Sequence, residues 1–457
     1  MMNTRRKFLR DTAAGLCWPL LMTSAAAAAP SSRPRPKVAA IFTVLRFRSH
    51  AYNILENFLG PYYFNGQLVD PGVDVVALYA DQFPSDDMAR EVSQRLGIPL
   101  YPTIAAAMCC GSNKLSVDAA LLIGEHGDYP YNALGQHLYP RKRFFDEAVA
   151  VMERDNRFVP VFNDKHFSYR WDWAREMFDT ARRHRFPLMG GSSVPLAMRA
   201  PQLDLPENPH IEEAVAIHGG GLESYDFHAL EVLQSIVESR HQGETGIRQV
   251  QLLYGDAFQR ARSEGRWSTA LVEAAMQAEQ QLGAKRQPFP KAGVFAATRK
   301  YEPPARPKGD YAISLLYNDG LRATALKLGS GSDRWNFACR LRGESDIRAT
   351  AFFNGPWGNR CLFKALSHAI QRMLIEQREP YPAERTLLTT GVVEAVMHSY
   401  RDRGQAIRTP HLDINYTARD WSALRETGKT WEVITVDTPQ PTKFAPRPYT
   451  ALRREKE

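Results

Sequence analysis

Asp118-Ala119-Ala120-Leu121-Leu122-Ile123-Gly124 is an unbroken apolar run closed by glycine, and Glu125-His126-Gly127-Asp128-Tyr129-Pro130-Tyr131-Asn132 follows it directly. A strand without polar alternation is buried on both faces, as in the middle of a parallel sheet. The polar stretch behind it is then the loop at its carboxyl end. Outward from this run, residues 37–42, 73–79, 98–101, 160–162 and 187–190 read as further short apolar strands. Residues 49–59, 86–96, 103–108, 144–153 and 171–184 carry helical spacing between them. Strands alternating with helices at this spacing predict parallel β-α-β units with helices on both faces. The fold class is α/β, with an N-terminal Rossmann-like doubly wound parallel sheet over residues 37–200.

The texture changes after Ala200. A helix is expected over 227–239, then longer alternating runs at 311–317, 323–328, 337–340 and 349–353, then helices at 363–376 and 385–400. Alternation marks an antiparallel sheet with one face on a core. Residues 201–437 are therefore read as a C-terminal α+β domain with a large, mostly antiparallel open sheet. Residues 438–457 are rich in proline and charge and are expected to form a loose tail.

The amino terminus carries Thr4-Arg5-Arg6-Lys7-Phe8-Leu9-Arg10, then a weakly apolar stretch that ends in an alanine run near Ala29. Paired arginines ahead of a short alanine-rich segment predict a twin-arginine signal peptide over residues 1–29, with a Pro/Arg/Ser linker over 30–36. The expectation is export of a folded protein to the periplasm, with the twin-arginine translocase as a transient partner and no membrane span after cleavage. The 457 residues carry a formal net charge of +8. An excess of this size, with no basic run interleaved with aromatics, argues against nucleic acid as a partner. Of five cysteines, Cys17 falls in the signal, Cys109 and Cys110 are adjacent, and Cys339 and Cys361 are isolated. Zinc spacing is absent, and buried free thiols are expected in preference to a Cys339–Cys361 disulfide.

The order of elements, together with Phe162-Asn163-Asp164-Lys165-His166, Tyr225-Asp226-Phe227-His228-Ala229-Leu230-Glu231, and Pro382-Ala383-Glu384-Arg385 through Thr409-Pro410, resembles the Gfo/Idh/MocA (glucose-fructose oxidoreductase / inositol dehydrogenase) superfamily over roughly residues 37–420. The resemblance places Lys165 on the family's catalytic lysine and His228 on its catalytic histidine. It implies a tightly held nicotinamide cofactor, NAD or NADP, and a homo-oligomer in which the large sheet packs on a copy of itself. One departure bears on the cofactor. With His50 aligned to the family's histidine, Phe42, Val44 and Phe47 replace the three glycines of the phosphate loop, whose roles are a tight turn and close backbone approach to the pyrophosphate.

Ligands of open α/β sheets bind beyond the carboxyl ends of the strands. The tips after Gly124, Phe162 and Gly190, with Tyr225 and His228, are therefore expected to share one crevice. Lys165 and His228 are the candidate catalytic pair. Glu125, His126, Tyr129, Asn132, Asp164, His166 and Tyr225 are candidate substrate contacts. Thr43, Arg46, Arg48, Asp81 and Ser192 are candidate cofactor contacts. His126, Asp164, His166, Glu223 and His228 form an alternative set for zinc, manganese or iron, which no helical ligand spacing supports. The leading expectation is an exported oxidoreductase that transfers hydride from a sugar or polyol-type substrate to a nicotinamide, with His228 taking the hydroxyl proton and Lys165 stabilising the oxygen. The alternatives are a cofactor-free or metal-dependent lyase or hydrolase of oxidised sugars on the same scaffold, and a non-catalytic carbohydrate-binding protein.

Overall fold

The computed structural model describes residues 34–283 and 300–446. Residues 1–29, where the export signal is expected, and the tail beyond 446 lie outside the described residues. The strands run in chain order as β1 (Lys37–Phe42), a small hairpin of β2 (Tyr62–Phe64) and β3 (Gln67–Val69), β4 (Asp74–Ala80), β5 (Ala119–Ile123), β6 (Val161–Asn163) and β7 (Leu188–Met189). Helices α1 (His50–Phe58), α2 (Ala89–Leu96), α3 (Ile104–Met108), α4 (Arg141–Arg154) and α5 (Trp171–His184) are interspersed with them. The sheet order is β4-β1-β5-β6-β7, and every pairing in it is parallel.

Every residue of β5 is buried, and so is β1 from Val38 onward. The two-residue period explains this. Ala39, Ile41, Ala120 and Leu122 face one core, with Met108 and Phe144. Val38, Ala40, Phe42, Leu121 and Ile123 face the other, with Tyr52 and Leu55 of α1. The strand order reverses between β1 and β5, which opens the crevice at their carboxyl ends. The expected strand at 98–101 is reduced to a single bridge from Leu78 to Leu100, because Pro99 and Pro102 supply no N–H to a ladder.

The second sheet contains β8 (Met198–Ala200), β9 (Ile211–Gly219), β10 (Ile247–Tyr254), β11 (Tyr311–Tyr317), β12 (Arg322–Lys327), β13 (Gly331–Leu341), β14 (Ile347–Phe353) and β15 (Ile407–Arg408). Its order is β15-β10-β11-β12-β9-β13-β14-β8, antiparallel except for the β9–β12 pair. The helices of this part are α6 (Ser224–Val237), α7 (Asp256–Ser263), α8 (Thr269–Leu282), α9 (Asn359–Glu376) and α10 (Ala383–Arg401). Ala214 and Ala216 of β9 pack in the core that holds Phe227 and Leu230 of α6. Val215 and Ile217 point the other way and meet Phe258 of α7 and Leu271 and Ala275 of α8. Both faces of the sheet are thus packed against helices of the same chain. This corrects the expectation of a sheet with only one face on a core.

Two further expectations fall to the structure. Residues 438–446 are not loose: Phe444 is buried, with its ring 4.8 Å from that of Tyr52, and the Trp357 indole donates to the Thr438 carbonyl. Helix α6 begins at Ser224 rather than 227, because Glu223 and Asp226 form a capping box that satisfies the first-turn amides. Cys339 and Cys361 are buried free thiols.

Candidate active site

A cleft of about 990 Å³ opens at the carboxyl ends of β1, β5 and β6 and is closed opposite by the start of α6 and by β13. Arg46, Glu125, His126, Tyr129, Lys165, Tyr225 and His228 all line it, so seven of the residues singled out from sequence share one cavity.

At its centre is a buried ion-pair cluster. Lys165 Nζ lies 2.8 Å from Glu125 Oε1 and donates to Ser224 Oγ at 3.2 Å. The other Glu125 oxygen is held by Arg141 at the start of α4. Arg141 reaches it because Gly124 has no side chain: a Cβ there would stand 2.8 Å from Arg141 Cγ. Burial opposes the charge on Glu125, but Lys165 and Arg141 outweigh it and hold the carboxyl well below its ordinary range. Lys165 sits at φ +63°, fixed by a backbone bridge to Gly191 at the tip of β7. His126, Arg48 and Glu223 also have positive φ. Backbone strain of about 1–3 kcal/mol per residue is retained where the surroundings over-determine it, and functional sites are where it collects.

His228 points into the same space from α6. Its Nδ1 is 2.6 Å from Ser192 Oγ, and Ser192 is itself fixed by the Val194 N–H on its Oγ and by its own N–H on Glu231. Burial, and after it the charge of Lys165, push the His228 imidazole well below its ordinary value, so it is neutral near pH 7. Tyr225 stacks on Trp335 with ring centroids 5.6 Å apart, and the indole lies edge-on to His228.

The remaining expectations fare differently. Asp164 is not a cleft contact; it is buried behind His50, with Oδ2 at 2.6 Å from His50 Nδ1. His166 is also buried, and its Nδ1 donates to the Ser168 carbonyl. Asn132 is spent in its own turn, on Gln136 and on the Leu134 amide. Arg48 is tied to Trp357, Asn359 and Gln440. Asp81 accepts from Tyr79, Tyr129 and Arg143 on its two oxygens. Among the described residues no three His, Cys, Asp or Glu side chains converge as a metal site, so the alternative ligand set does not assemble. Sequence reasoning missed His50 and Arg141 as parts of the site. His50 follows the helix-capping Ser49, which placed it at the mouth of the crevice, but nothing local pointed to its Asp164 partner.

No family model matches the sequence, and no curated protein matches it. Solved structures do. GenD2 from gentamicin A biosynthesis, solved with NAD, aligns with a TM-score of 0.52 at 10% identity, over 82% of this chain and 96% of that one. The myo-inositol dehydrogenase of Lactobacillus casei, solved with NAD(H) and myo-inositol, aligns with a TM-score of 0.50 at 12% identity, over 84% and 98%. At this identity the likeness is one of fold: the chain shares the two-domain architecture of these two proteins.

GenD2 and the L. casei enzyme were solved with NAD or NAD(H), and a dinucleotide's pyrophosphate is ordinarily cradled by bare backbone amides after the first strand of such a sheet. The residues here do not fit that mode. Phe42 at the end of β1 and Val44 in the loop after it are fully buried side chains. The Thr43 N–H donates to the Ile123 carbonyl, the Leu45 N–H to the Asp87 carboxylate at 2.8 Å, and the Arg46 N–H to Ser49 Oγ. Asp81, one of the candidate cofactor contacts, has both oxygens occupied by protein donors.

Proposed function

We propose that this chain is an exported enzyme that acts on a sugar or polyol-type substrate by proton transfer, without a resident dinucleotide. The observation that carries the reading is the presence of Lys165 and His228 in one cleft while three amides after β1, those of Thr43, Leu45 and Arg46, are committed to protein acceptors. Lys165, backed by Glu125, supplies a fixed donor to a substrate oxygen. His228, oriented by Ser192, exchanges a hydrogen bond or proton at the same centre. Tyr225, backed by its stack on the buried Trp335, offers its outer face to a sugar ring.

A second reading is hydride transfer to NAD or NADP. One observation favours it: the cleft extends from Lys165 to Arg46, Gln82 and Ser85 at the tips of β1 and β4. GenD2 and the L. casei enzyme were solved with NAD on this fold. In that case the nucleotide would be held in an unusual way, by side chains rather than loop amides.

The test is a turnover screen of the mature protein on keto-sugars, uronates and inositols, with and without added NAD⁺ or NADP⁺. Proton-transfer chemistry predicts product without nucleotide and a loss of at least about 100-fold in His228→Gln. Turnover that requires nucleotide establishes the second reading.

A further inference from the structure

The cleft holds a second imidazole whose setting complements that of His228. His50, the first residue of α1, forms part of the wall. Its Nδ1 is 2.6 Å from Asp164 Oδ2, and Asp164 is 1% exposed. The ring plane is fixed by edge contacts with Phe363 at 4.7 Å and His126 at 5.0 Å. An ionised carboxylate only accepts, so the hydrogen lies on His50 Nδ1 and Nε2 carries the lone pair. His228 is set the other way. Ser192 Oγ already accepts from the Val194 N–H, and its own hydrogen has the His228 Nδ1 to go to at 2.6 Å. With the serine hydrogen given to Nδ1, the hydrogen of neutral His228 stands on Nε2. One imidazole is thereby held as an acceptor and the other as a donor.

We propose that His50, oriented by Asp164, is the base of this site, that His228 is its neutral hydrogen-bond-donating counterpart, and that the substrate is a sugar bearing a carbonyl group. This rests on the proton-transfer reading above and deepens it. His50 Nε2 removes the proton from the carbon next to the carbonyl. The C–H electron pair becomes the new C=C bond, and the carbonyl π pair moves onto oxygen. That oxygen is met by Lys165 Nζ and His228 Nε2–H. The proton on His50 then returns, on the face it left, to the former carbonyl carbon, while the proton of the hydroxyl on the first carbon passes to the enolate oxygen and that C–O becomes the new carbonyl, giving an isomer with no net oxidation. Asp164 stabilises the transient imidazolium and acts through His50, as a positioning residue.

The test uses the mature chain labelled with ¹⁵N-histidine, the two rings being assigned by His50→Gln and His228→Gln. The expected spectrum shows His50 protonated on Nδ1 and His228 on Nε2. Asp164→Asn, whose amide can donate, converts His50 to the Nε2–H form and leaves His228 unchanged. His50 already protonated on Nε2 in the wild type, or both rings in one form, overturns the assignment. In D₂O with D-fructose or 3-keto-D-glucose as probe, the wild type is expected to exchange the hydrogen next to the carbonyl. His50→Gln and Asp164→Asn should slow that exchange at least about 100-fold. Exchange kept by both variants but lost in His228→Gln overturns the role of His50 and leaves the Lys165–His228 reading standing. Exchange unchanged in all three overturns both, and none by the wild type into either sugar overturns the carbonyl substrate class.

Discussion

Glu125→Gln is the most informative single perturbation of this molecule, because it removes one charge and almost no volume. Glu125, Lys165 and Arg141 are 6%, 5% and 2% exposed. The carboxylate is the shared partner of both cations, and the other side-chain acceptor contact of Arg141 is a backbone carbonyl, that of Asp164. The substituted amide keeps the shape but leaves two buried cations facing each other. Breaking a buried pair by neutralising one partner costs about 3–5 kcal/mol. With an unfolding entropy of roughly 2.1 cal/mol/K per residue over about 400 ordered residues, that lowers the melting temperature by about 5 °C. The Glu125 carboxyl is held well below its ordinary range, so its stabilisation is present above the unfolded value and fades only as pH falls through the depressed one. The gap between variant and wild type should therefore persist at pH 5 and close only in stronger acid. Calorimetry at pH 7 and pH 5 reads both statements. Adding Lys165→Met should recover part of the loss, with a coupling of about 1 kcal/mol or more. A Glu125→Gln protein melting within about 1 °C of wild type at pH 7 refutes the cluster.

The remaining predictions address other parts of the chain. Burial raises the Glu223 carboxyl to about 7, against partial opposition from Arg306. The folded state then holds more protons than the unfolded one between about pH 4.5 and 7, so stability falls across that window by about 3 kcal/mol; Glu223→Gln should flatten the slope in urea titrations, and equal slopes in the two proteins contradict this. Phe444→Ala should cost about 3 kcal/mol in the same assay through its lost contact with Tyr52, whereas a change below about 0.5 kcal/mol would mean that residues 438–446 are not docked. Arg5→Lys together with Arg6→Lys should leave the precursor in the cytoplasm on fractionation, and an unchanged periplasmic yield removes the export proposal.

The elements that sequence reading placed best are those buried on two faces or strongly periodic. Helix α5 and strand β11 have the expected limits, since Trp171 to His184 carries one apolar stripe and Tyr311 to Tyr317 alternates cleanly. The β2–β3 hairpin was missed although its Asn65-Gly66 turn is a strong local signal, both residues having positive φ. Strand β9 was missed for a different reason. Both its faces are buried, one against the following helix α6 and one against α7 and α8, so Glu212 and Glu213 at its start masked a strand that tertiary packing reveals. In the site, the strand-tip rule brought Glu125, Lys165 and His228 together correctly. It assigned Asp164 and Asp81 to ligands because the partners that consume them, His50 and Tyr129, are 114 and 48 residues away.

The central claim is that this cleft works by proton transfer and that the dinucleotide grip has been closed by the protein's own groups. Extraction of the purified protein, followed by titration with NAD⁺, NADH, NADP⁺ and NADPH under calorimetry, tests it most directly. The account predicts no extracted nucleotide absorbing at the adenine band and no saturable heat at millimolar ligand. One equivalent of nucleotide released on denaturation, or binding in the micromolar range, contradicts it and makes hydride transfer the reaction of this site.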